Sequence, residues 1–109
     1  MNTELRAAYA NVITARREAE RAKANIPEVY GDWRVQSEAI GHYQKAAGRR
    51  DGAEQTLRKL ALTIFAKTND RHIAPGVTVY IGHSQMPYAI IATNLNDLWS
   101  ETGEAGGVE

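Results

Sequence analysis

The chain contains no cysteine. That excludes disulfides, thiolate zinc sites and cysteine nucleophiles, and it fits a reducing compartment. No apolar run approaches the roughly 18 residues that a membrane span needs, so no membrane association is expected. The opening "MNTELRAAYA" lacks the apolar core of a secretory leader, so the expected location is the cytoplasm. Catalytic signatures are also missing. No histidine pair has HxxxH or HxH spacing, no serine sits in a GxSxG turn, and no glycine cluster has Walker or dinucleotide spacing. His72, His83 and Asp70 flank one strand, but as turn residues rather than a spaced ligand set. The acids are scattered along helix surfaces rather than paired for acid–base work. The expectation is a protein that is not an enzyme, with no cofactor and no metal.

What is present is one domain's worth of chain, 109 residues, with a net charge of zero unevenly spread. All 13 lysines and arginines lie at or before Arg71, against nine acids in the same span, a net of +4; residues 72–109 carry −4. A basic helical part with an acidic tail suits nucleic-acid binding, or mutual attraction of the two parts.

Apolar spacing predicts a helix over about 3–25. Leu5, Val12, Ala19 and Ile26 alternate with Ala8, Ala15 and Ala22 at heptad spacing, an alanine-rich seam. "NIPEVYGDW" interrupts the pattern, with Asp32 suited to cap a second helix over 32–68. There Ala39, Tyr43, Ala46, Arg50, Ala53, Leu57, Leu60 and Ile64 repeat without a slip through Gly41, Gly48 and Gly52. The two helices are expected to fold back as an antiparallel coiled-coil hairpin, opposed residues having numbers that sum to about 58–60. That register sets Glu18 beside His42 and Glu4 beside Arg50 or Arg49. At 1.5 Å per residue helix 1 spans about 35 Å and helix 2 about 55 Å, which leaves Leu57–Phe65 overhanging.

Beyond Asn69, a left-handed cap residue, "APG" turns the chain into a strand at Val77–Ile81. Met86–Ala92 completes a short β-hairpin by its β-branched and aromatic content, although Tyr88, Ile91, Leu95 and Leu98 also have helical spacing and Pro87 suits a first helical position. A short C-terminal helix over Asn94–Ser100 and a disordered acidic tail over 101–109 follow. The expected fold is α+β, mostly α, with a helical hairpin over 1–71 and a β-hairpin plus short helix over 72–100.

Candidate binding residues are of two kinds. Arg16, Arg17 and Arg21 on helix 1, with Lys45 and Arg49 on helix 2, form a basic surface for phosphates, interleaved with Glu18, Glu20, Asp51 and Glu54. Tyr30 and Trp33 sit at the hairpin turn, where little of the chain covers them, and such aromatics are frequent binding anchors. Ile40, Ala47 and Ala61 widen the apolar face of helix 2 beyond what one partner helix needs, which points to a homodimer.

"AEQTLRKLALTIFAKTNDRHIAPGVTVYIG", from Ala53 to Gly82, resembles a loose group of small phage and prophage proteins. In these a helical hairpin ends in "AE..LR.LAL" and is followed by "PGV" and a short strand hairpin. Asn69 stands where a glycine is commoner in that group. The layout is also similar to Gam-type host-nuclease inhibitors and Gp157-like phage proteins. The resemblance carries over no functional residue. It implies a phage accessory protein acting in the host cytoplasm, which binds and inhibits a host nuclease or a defence system such as CRISPR. The other readings are a DNA-binding accessory of phage recombination and a structural coiled-coil assembly protein.

Overall fold

The computed structural model describes residues 3–27 and 32–95. Two long packed helices, α1 (Thr3–Ala24) and α2 (Trp33–Thr68), precede a three-stranded antiparallel sheet of β1 (His72–Ala74), β2 (Val77–Ile81) and β3 (Pro87–Ile91), in the order β1-β2-β3. The fold is α+β and mostly α. The chain divides into two compact units, Met1–Gln55 and Thr56–Glu109, and the division falls within α2.

In the first unit the α1 seam is the buried one: Leu5, Ala8, Val12, Ala15 and Ala19 are buried, together with Tyr9, which flanks the seam. Asp32 caps α2, its carboxylate accepting a hydrogen bond from the Arg34 N–H at 2.9 Å.

The pairing of the helices differs from the expected one. Arg16 Nε donates to Glu54 Oε1 at 3.2 Å, and Arg49 lies 3.7 Å from Glu18. These pairs sum to 70 and 67 rather than 58–60. Glu18 therefore meets Arg49 and not His42. Arg50 turns to its own helix, donating to Asp51 Oδ1 at 3.2 Å. A heptad pattern fixes which face is buried, but a slide of a heptad lays one alanine seam on another at little cost. The two cross-helix ion pairs mark the register.

The overhang consequently lies at the opposite end of α2. No residue from Trp33 to Lys45 is buried, and the first buried one is Ala46. Leu57 and Ala61, in the stretch expected to be uncovered, have no exposure.

In the second unit α2 ends as its cap residues dictate. Asn69 takes φ 60° and its N–H reaches the Phe65 carbonyl at 2.7 Å. Asp70 then accepts from the His72 N–H at 3.0 Å, an Asx turn that starts β1. The Asp70–Arg71–His72 break is thus a corner. β1 itself is a correction to the two-stranded hairpin: His72 pairs with Thr78 and Ala74 with Val77, with a bulge between. Pro75 and Gly76 (φ 78°) make the turn to β2, where proline pre-sets one position and glycine accepts the positive φ of the next.

β2 and β3 pair in regular register, from Val77 with Ile91 to Ile81 with Pro87. Alternation puts Val77, Val79, Ala89 and Ile91 on the buried face, while Tyr80, Tyr88 and Ile90 stay exposed. Leu95 is buried. The helix expected over 94–100 lies outside the described residues from Asn96 onward, as does the tail over 101–109.

Candidate interaction surfaces

The described residues offer three surfaces. The first is the free end of α2. Trp33, the first helical residue, is 69% exposed, with the Arg34 guanidinium 5.7 Å from its ring centroid. Val35 and Ile40 are exposed on the same turns. A cation over an indole face at an exposed site contributes about 0.5–1 kcal/mol, so Arg34 orients the ring without covering it. Tyr30, its expected companion, lies outside the described residues.

The second surface is basic. Arg16 does not belong to it in the expected way: its side chain is only 21% exposed and its partner Glu54 14%, so the pair is part of the hairpin. Arg49 is exposed but faces Glu18; an ion pair of that kind contributes about 0–1 kcal/mol. Arg17, Arg21 and Lys45 are exposed, with no ion pair among the described residues. The register brings Arg21 to the level of Arg49. Hydrogen bonds to the Tyr43 hydroxyl and then to Asp51 raise Arg50 above its ordinary value, so it is a permanent cation.

The third surface was not singled out from the sequence. The open face of the sheet carries Tyr80 and Tyr88, a directly paired couple with ring centroids 5.9 Å apart, and Ile90 beside them. A methyl-sized group on Gly82 would press the Tyr88 ring at 3.3 Å, so glycine there leaves room for the ring. The signal was in the alternation: in VTVYI and PYAII, every second residue shares a face.

Among the described residues no three histidines, cysteines or acids gather in a way that would hold a metal ion. No described helix is long and apolar enough to cross a membrane. No family model matches the chain, and neither a curated protein nor a solved structure matches it.

Proposed function

We propose that this is a non-enzymatic, phage-type accessory protein that binds and inhibits a host protein, a nuclease or a defence system such as CRISPR, through the free N-terminal turns of α2. The observation that carries the reading is Trp33, 69% exposed on a helix end with no buried residue for more than three turns. A large rigid aromatic at the tip of a helical hairpin suits insertion into a pocket, where such anchors carry about 2 kcal/mol or more of binding energy. The phage assignment is supported by the resemblance over Ala53–Ile81, with a looser echo at Tyr88 and Trp99.

Purified host exonucleases and CRISPR effectors, assayed with and without the protein, test this. Wild type is expected to inhibit one of them, and Trp33→Ala to weaken that inhibition about 30-fold or more. Because Trp33 is exposed, its truncation should leave stability within about 0.5 kcal/mol. Equal inhibition by the variant, or none by wild type, defeats the reading.

Arg17, Arg21 and Lys45, exposed and without described acidic partners, favour a second reading, a DNA-binding accessory of phage recombination. It requires gel-shift affinity that falls steeply with salt. No shift at low salt removes it.

A further inference from the structure

The outer edge of β3 is built for a strand that none of the described residues supplies. The Ala92 N–H reaches the Gly76 carbonyl at 2.8 Å, in line with the β2–β3 register. Antiparallel pairs alternate between hydrogen-bonded and open, so Thr78–Ile90 and Tyr80–Tyr88 are the bonded pairs. The N–H and C=O groups of Ala89 and Ile91 then point away from β2, and no described hydrogen bond reaches them. Pro87 is the third outward residue and has no N–H to offer.

We infer that this edge pairs with β3 of a second copy, antiparallel about a twofold axis at Ile90. In that register Ala89 meets Ile91 of the other copy, and each couple exchanges both backbone bonds. Every free donor of the edge is used. Centring the axis on Ala89 instead would set Pro87 in a bonding position and lose bonds. A twofold axis also brings the strand's charges against their own copies, and "MPYAIIA" has none. Natural edges are usually protected by charge, and this one is protected only by Pro87 at its end. The joined sheet would end on β1 at both sides. That strand has three residues and a bulge, a blunted edge that stops growth at two copies. The buried and open faces of both sheets run on continuously, with the Ile90 side chains adjacent on the open face.

This inference is independent of the host-partner reading, because Trp33→Ala should leave the dimer intact. Sedimentation of the full chain is expected to give twice 12.0 kDa for wild type. Ile90→Lys, which sets like charges at the axis, should give 12.0 kDa with an unchanged circular dichroism spectrum. Tyr80→Lys, on the same face but on the central strand, should remain dimeric. The chain has no other cysteine, so Ile90→Cys should form an intermolecular disulfide on air oxidation, the Cβ atoms of an open antiparallel pair being close enough. Tyr88→Cys should not, its copy lying four residues along the strand, about 13–14 Å away.

A wild type that sediments as one chain at every concentration overturns the inference, whether residues 96–109 or a different protein's strand takes the edge. So does a dimer that survives Ile90→Lys. Loss of the dimer in Tyr80→Lys would mean face-to-face packing and would overturn it too.

Discussion

Leu57→Ala is expected to lower the unfolding free energy by about 2–5 kcal/mol, the range for truncating a buried leucine where the surroundings collapse only partly. Leu57 has no exposure at all, and neither does Ala61 one turn further on. A chain of this size should lose on the order of 10–20 °C in melting temperature. The size of the effect tests the burial itself: a leucine left in water at that position would cost no more than about 0.5 kcal/mol on truncation. Urea unfolding followed by circular dichroism measures the difference.

Val79→Asp is expected to be the most damaging single change among the described residues. Val79 has no exposure and faces the buried side of the sheet, opposite Ala89. A carboxylate there would have to leave water, and burying a charge is one of the few routes to losses above about 4 kcal/mol. Burial would raise the folded-state pKa of the new carboxyl above its unfolded value. The deficit attributable to the charge is therefore full above the folded pKa. It shrinks as pH falls and is gone below the unfolded value near 4. Val79→Asn should show no such recovery. Tyr80→Asp, one residue along and 45% exposed, should cost little beyond the stacking with Tyr88, about 0.5–1.5 kcal/mol. The contrast between neighbouring residues is the signature of a strand with one buried face. If 79 and 80 respond alike, that assignment is wrong.

Much of the architecture was legible in the residues. Both helices begin and end within a residue of the expected bounds, because Asp32 and Asn69 are chemically suited to the two helix ends. The alternation in Val77–Ile81 marked β2, and β-propensity outweighed helical spacing at Tyr88, Ile91 and Leu95. Ile91 and Leu95 are buried while Tyr88 points to the open face, so the helical interval was a coincidence of spacing. What escaped had physical reasons. β1 has three residues, too few to display a period. Tyr9 flanks the seam instead of lying on it. The register of the hairpin was invisible because alanine seams repeat, and the eight residues between the helices permit an offset. Two long-range charge pairs, Arg16–Glu54 and Glu18–Arg49, carry that information, and nothing in their sequence spacing announces it.

The candidate site followed the register. Trp33 stood out from the sequence as an aromatic at the hairpin turn, where little of the chain covers it. In the observed pairing it begins a free length of helix. Arg16, grouped with the binding residues by its neighbours Arg17 and Arg21, is half-buried in the hairpin with Glu54. A run of cations along a helix does not reveal which of them turns inward.

The central claim is that α2 projects beyond α1 at its N-terminal end, where Trp33 sits. Hydrogen exchange along α2 tests it most directly, since amides in an uncovered length of helix open far more readily than those under packed side chains. The account predicts fast exchange from Trp33 to about Lys45 and strong protection from Ala46 onward. Protection over 33–45 equal to that of the rest of α2, or fast exchange at 57–65 instead, would contradict it.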